Sequence, residues 1–130
     1  MGLTDTYEGR GLAALDFDNN GTFDIAIANM NAPAVLYKNT VENAHWIGFK
    51  LVGRSPNTDA IGSRVILSTN KGKQYREIFP GNGFASQSDP RALFGLGSSQ
   101  VREVEIVWPD GSYDKLPSFV ANAYNTVVQR

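Results

Sequence analysis

Thirteen glycines and six prolines are spread along the whole chain and cut it into short apolar pieces. No window carries a sustained helical stripe, whereas several alternate with the period of two that marks a half-buried strand. Phe23, Ile25 and Ile27 share one face of the segment 23–29. Ile47, Phe49 and Leu51 do so in 46–52, Val65 and Leu67 in 64–69, and Val104, Ile106 and Trp108 in 103–108. Further strand candidates are 11–16, 34–38, 73–79, 91–94, 112–116 and 125–129. Turn signals separate them at Asn20-Gly21, Asn70-Lys71-Gly72-Lys73, Pro80-Gly81-Asn82-Gly83 and Pro109-Asp110-Gly111-Ser112. Many short strands at intervals of about 8–12 residues predict an all-β protein, a β-sandwich or a partly open barrel.

The remaining composition narrows the function classes. The 130 residues carry 12 Lys+Arg against 13 Asp+Glu, a net charge of −1, which argues against a nucleic-acid partner. No apolar run approaches the ~18–20 residues that span a bilayer, so no membrane insertion is expected. Zero cysteines exclude disulfides, thiol catalysis and Cys-ligated metals, and the single histidine, His45, excludes a multi-histidine site within one chain. The opening Met-Gly-Leu-Thr-Asp-Thr-Tyr-Glu has no apolar stretch and does not read as a signal peptide. The expectation is a cytoplasmic chain or a piece of a longer exported protein.

The sharpest local pattern is Asp16-Phe17-Asp18-Asn19-Asn20-Gly21-Thr22-Phe23-Asp24. Side-chain oxygens fall at positions 1, 3, 5 and 9, a glycine that permits the chain reversal at 6, and a carbonyl, that of Thr22, at 7. Hard oxygen donors in this number suit Ca²⁺ better than zinc or copper. An EF-hand begins the same way but needs a bidentate Glu at position 12, where this chain has Ile27, and its flanks should be helices. The flanks here read as strands, so the expectation is a β-hairpin loop closed by Asp24. A plain polar turn is the competing reading, but three carboxylates within nine residues repel one another, and a turn does not need them. Asn20-Gly21-Thr22 also spells a glycosylation sequon, discounted because Asn20 is assigned as a ligand.

The segment 9–29 resembles the FG-GAP or VCBS repeat of integrin α-like propellers, and 31–39 is similar to the next strand of that repeat. The resemblance implies Ca²⁺ held by Asp16, Asp18, Asn20 and Asp24, with Thr22 as carbonyl donor. The remainder resembles the ASPIC/UnbV domain of the cartilage acidic protein family. The likeness lies in 43–51, 57–65, 76–88 with 94–97, and 104–111. Two positions depart from that pattern: Ala60 stands where the family usually has Gly, and Leu93 where it usually has His before Phe-Gly-Leu-Gly. The likeness implies an architecture, a calcium site and an extracellular or periplasmic setting, but no reaction. About thirty residues cannot make a four-stranded propeller blade. A calcium-loop hairpin over 9–40 is therefore expected to pack the apolar face of Phe23, Ile25, Ile27 and Leu36 on a β-domain over 41–130, since an isolated hairpin is marginal in water.

Other constellations are weaker. The loop 81–89 offers Phe84 to stack on a sugar and Gln87 to hydrogen-bond it; the simpler reading is a wide connection whose Ser and Gln satisfy backbone groups. Glu103 and Glu105 mimic a glycosidase pair but are better read as a solvated strand face. Ser86 or Ser88 with His45 and Asp59 would spell a triad without a nucleophile elbow. Trp46 and Trp108 read as core aromatics, and Arg64 and Arg76 as partners for Asp59 or Glu77. The function expected from these residues is non-catalytic: calcium clamps the hairpin and the β-domain presents loops to a protein or glycan. The alternative is an accessory or catalytic module acting on extracellular carbohydrate.

Overall fold

A computed structural model describes residues 6–42, 45–81 and 83–130. Asn43 and Ala44 at the start of the expected β-domain, Asn82 of the turn 80–83 and the first five residues lie outside the described residues. Ten strands form, each overlapping one of the expected segments: β1 (Gly9–Leu15), β2 (Asp24–Asn29), β3 (Val35–Tyr37), β4 (Trp46–Val52), β5 (Arg64–Thr69), β6 (Gly72–Glu77), β7 (Ala92–Gly95), β8 (Val101–Val107), β9 (Tyr113–Lys115) and β10 (Tyr124–Val128). They make three open sheets, β1-β2-β3, β10-β4-β7 and β6-β5-β8-β9, so the protein is all-β and not a closed barrel.

The second and third sheets share one core. Ile47, Phe49 and Leu51 from β4 and Ala92 and Phe94 from β7 meet Val65 and Leu67 from β5 and Val104 and Ile106 from β8. In these two sheets the period-two faces named from the sequence are the buried ones, because successive side chains of a strand point to opposite faces. Phe49 and Phe94 meet edge to face at 6.2 Å. Trp108 closes the core and its indole N–H donates to Asp114 Oδ2 at 2.8 Å. β10 pairs in parallel with β4, which brings the chain's last strand beside the first strand of the core. Ala60 is fully buried with φ of +55°, a left-handed backbone that favours glycine and accounts for the family's usual residue there.

The first sheet departs from expectation in how it attaches. Phe23 and Leu36 remain 44% and 42% exposed, Ile25 and Ile27 are half-buried, and none of them joins the core. The hairpin is held at its edge and its loop instead. Leu12 N–H donates to Ser86 Oγ at 2.9 Å and Ala14 N–H to Ser88 Oγ at 3.1 Å, while Asp89 N–H donates to the Ala14 carbonyl at 2.9 Å. The loop after β6 thus covers the free edge of β1, satisfying groups that an open edge would leave to solvent or to another chain.

This division of labour has a measurable consequence. Phe94→Ala is expected to cost about 3–5 kcal/mol in urea unfolding. Leu36→Ala on the hairpin is expected to cost less than about 1 kcal/mol. Comparable losses at both positions would mean that Leu36 is packed after all.

Candidate metal centre

The loop between β1 and β2 reverses through left-handed Asn19 (φ +57°) and Gly21 (φ +85°), and this brings the acidic side chains inward. Asp16 Oδ1 accepts the N–H of Asn20 at 2.9 Å and Oδ2 that of Gly21 at 2.9 Å. Asp24 Oδ2 accepts the Phe17 N–H at 3.0 Å and Oδ1 the Asn39 N–H at 2.7 Å, tying the loop to the chain beyond β3. Asp16 and Asp24 are 2% and 0% exposed. Asp18 is exposed and pairs with Lys38. The Lys38 ammonium, by hydrogen bond and charge, holds the Asp18 carboxyl below its ordinary value and is itself held above its own.

One carboxylate oxygen from each of Asp16, Asp18 and Asp24 lies within 4.8 Å of the others. Oxygens that bind one calcium at about 2.3–2.6 Å can be no more than about 5 Å apart, so this donor set fits a hard divalent cation. Asn20 Oδ1 accepts both the N–H and the Oγ1–H of Thr22, at 2.8 and 2.6 Å, so in this arrangement the Asn20 side chain is spent on the turn.

The same loop is the docking element. The Tyr124 hydroxyl at the start of β10 donates to Asp16 Oδ2 at 2.8 Å. Tyr124 lies over Gly48 and against Trp46, ring centroids 5.1 Å apart, and Trp46 lies against Gly21, where a Cβ would fall 2.2 Å from the indole. Burial, and then the Asp16 carboxylate, push the Tyr124 phenol well above its usual range. Arg91 completes the joint. Its Nε donates to both Asp89 oxygens at 2.9 and 2.8 Å, its Nη1 to Asn19 Oδ1 at 2.6 Å and its Nη2 to the Asp16 carbonyl at 3.0 Å. The guanidinium stands 3.8 Å from the Tyr124 ring centre, and Asp89 raises its pKa.

The other sequence-predicted groups scatter. Phe84 is 81% exposed and Gln87 is exposed. No hydrogen bond among the described residues joins Ser86 or Ser88 to His45 or Asp59; both serines serve the β1 edge. Glu103 pairs with Lys115, and Arg64 with Glu77 at 3.4 Å. Trp46, Tyr124 and Arg91 were not read as site residues. A signal for the first two exists: Gly48 inside a strand pattern marks a close approach, here that of Tyr124.

A two-sheet β-core carrying a docked acidic hairpin loop is thus the kind of module at hand. Residues 53–130 match the ASPIC and UnbV family, and the chain belongs to it. Cartilage acidic protein 1 from Homo sapiens is 35% identical over 112 residues, covering 80% of this chain and 17% of that protein. The proteins of the same name from Mus musculus and Xenopus tropicalis are 34% and 33% identical, covering 80% and 79% of this chain and 17% and 16% of their own lengths. These alignments take in more of the chain than the family match, so the likeness runs upstream of residue 53.

Two measurements test the joint. Gly21→Ala and Gly111→Ala both place a side chain at a left-handed glycine, but only the first meets a ring; a Cβ at Gly111 meets nothing within 4 Å. Gly111→Ala is expected to cost about 1 kcal/mol and Gly21→Ala at least about 2 kcal/mol more. Equal losses would remove Trp46 from the joint. The raised Tyr124 pKa makes the folded state hold that proton more tightly than the unfolded one. Its contribution is therefore complete below the ordinary value of 10.0 and declines as pH rises above it. Urea midpoints should fall less steeply with alkaline pH in Tyr124→Phe than in wild type.

Proposed function

We propose that the chain is a non-catalytic, calcium-stabilised recognition module. In it an FG-GAP/VCBS-like hairpin, residues 9–40, docks on an ASPIC/UnbV β-domain, residues 41–130. The observation that carries this reading is the convergence of Asp16, Asp18 and Asp24, two of them buried, with Lys38 as the cation paired within the cluster. Asp16 and Asp24 would hold the ion from their fixed positions, Asp18 by giving up Lys38, and Asn20 and the Thr22 carbonyl by relaxing the turn they now share. Bound Ca²⁺ would supply charge neutralisation and so folding free energy, not chemistry. Because Asp16 also accepts from Tyr124, a fixed carboxylate there keeps the hairpin seated on β10.

The partner class is protein or glycan, and the setting extracellular or periplasmic; the word cartilage in the relatives' name supports an extracellular tissue. Acting on carbohydrate as an enzyme is less favoured. Glu77 and Asp89 line one cleft, as a glycosidase pair would, but each is held in an ion pair, with Arg64 and with Arg91.

Calorimetry with millimolar Ca²⁺ against EDTA tests the clamp. At a hundredfold excess over Kd the stabilisation is about 2.7 kcal/mol, a rise in Tm on the order of 10 °C. Asp24→Ala should abolish the rise; Asp18→Asn, at an exposed position, should shrink it while leaving the calcium-free fold intact. A wild-type curve indifferent to Ca²⁺ would sink the proposal.

A further inference from the structure

A cleft of about 270 Å³ lies where the hairpin meets the β-domain, between the end of β6 and the start of β7. That volume falls just below the usual range for ligand sites, about 300–1,000 Å³, and has room for one sugar ring. Two phenyl rings line it and remain open to solvent: Phe23 from the hairpin and Phe79 from the domain, the latter 58% exposed. Neither joins the hydrophobic core.

The charged groups of the cleft are not equivalent. Arg91 is committed to Asp89, Asn19 and the Asp16 carbonyl, and Glu77 to Arg64. Arg76 has no carboxylate partner among the described residues. Its Nη1 donates to the adjacent Tyr75 carbonyl at 2.9 Å, and its guanidinium is held 5.2 Å from the ring centre of buried Phe94. The register explains why it is held: Arg76 pairs with Val65, so it rises from the core side of the edge strand β6 and caps the gap over β7. Lying over an aromatic ring positions the guanidinium, and its remaining N–H donors are free for a planar, two-oxygen acceptor.

Two exposed phenyl rings beside a positioned guanidinium without a carboxylate partner among the described residues match one ligand chemistry well. Pyranose rings present C–H faces to aromatic side chains, and a uronic acid adds a carboxylate at the ring's edge. We propose that this cleft binds a uronic-acid residue of an acidic glycan, its carboxylate on Arg76 and its ring face against Phe79 and Phe23. The proposal narrows the partner of the recognition module to a substrate class and rests on the non-catalytic half of that reading, not on the ion. Phe84 and Gln87, the expected glycan contacts, do not line the cleft; Phe79 takes the aromatic part.

The test is titration of the full chain with a galacturonate trisaccharide and with the neutral galactose trisaccharide, followed by amide chemical shifts in the presence of Ca²⁺ and of EDTA. The acidic sugar should bind at least about tenfold more tightly than the neutral one. Arg76→Gln should lose about tenfold in affinity and Arg76→Lys less, while Phe79→Ala should weaken both sugars. Near-UV circular dichroism confirms the fold of each variant, and should Arg76→Gln fail to fold, Arg76→Lys and Phe79→Ala carry the test. Equal binding of the two sugars, unchanged affinity in Arg76→Gln or no binding of the acidic sugar would overturn the assignment. So would tighter binding of a sulfated neutral sugar. The calcium-dependent Tm rise keeps the two readings apart: it should persist in Arg76→Gln, and its absence from the wild type with glycan binding intact would strike the ion alone.

Discussion

One carboxylate, that of Asp16, joins the two halves of this molecule. It accepts two N–H groups from its own loop and the hydroxyl of Tyr124 from the far end of the chain. A buried charge without such partners is costly, and the Oδ2 atom takes one donor from the loop and one from Tyr124. The loop's conformation and its seating on β10 are therefore one event. Gly21 lets the Trp46 ring lie flat against the loop, and Gly48 lets Tyr124 reach Asp16 across β4. Both glycines act as close-approach residues, one in a turn and one in a strand.

The hairpin is bound by directional polar contacts where the core is bound by apolar packing. The core will tolerate any solvent condition that preserves the hydrophobic effect. The joint depends on serine hydroxyls at the β1 edge, on the Arg91 fork and on the Asp16 carboxylate, and its charged contacts weaken as ionic strength rises. The hairpin sheet also leaves much of its apolar surface uncovered. It is accordingly the unit expected to open first, ahead of global unfolding. That makes an added source of stability at the loop effective: a ligand held by Asp16 and Asp24 acts on the least stable part of the structure.

Much of the architecture was legible because strands announce themselves by period two and glycine turns. The buried alternation of Val65 with Leu67 and Val104 with Ile106 follows directly from the sequence. The acidic loop was legible for a related reason: its donors are close in sequence, so spacing alone places them together. What could not be read was contact across long separations. Nothing local announces that β10 runs parallel to β4, that Ser86 and Ser88 cap β1, or that Arg91 reaches Asn19. The expectation that Phe23, Ile25, Ile27 and Leu36 would pack as one face on the β-domain failed for the same reason: the pairing sets Leu36 opposite Ala26, on the other face of the sheet from Ile25 and Ile27. An apolar face shows that a strand can pack, not what it packs against, and here the loop end reaches the domain first. In the loop 81–89 the simpler reading is visible for the serines, since Ser86 and Ser88 accept backbone N–H groups of β1, while Phe84 and Gln87 stay exposed.

The cleft and the acidic loop share walls. Phe23 precedes Asp24 in the chain, and Arg91 lines the cleft while holding the Asp16 carbonyl. A cation that stabilises the seated loop would also stabilise the place of Phe23 in the cleft lining, and coupling between two sites is reciprocal by thermodynamic necessity. Its sign follows from the geometry: both ligands would favour the docked hairpin over the open one, so each would strengthen the other. The coupling can be no larger than the free energy of undocking. That free energy is limited here by a joint of a few hydrogen bonds, each worth about 1 kcal/mol net. A modest, positive coupling through a weak hinge is what a small β-module can support without a second core.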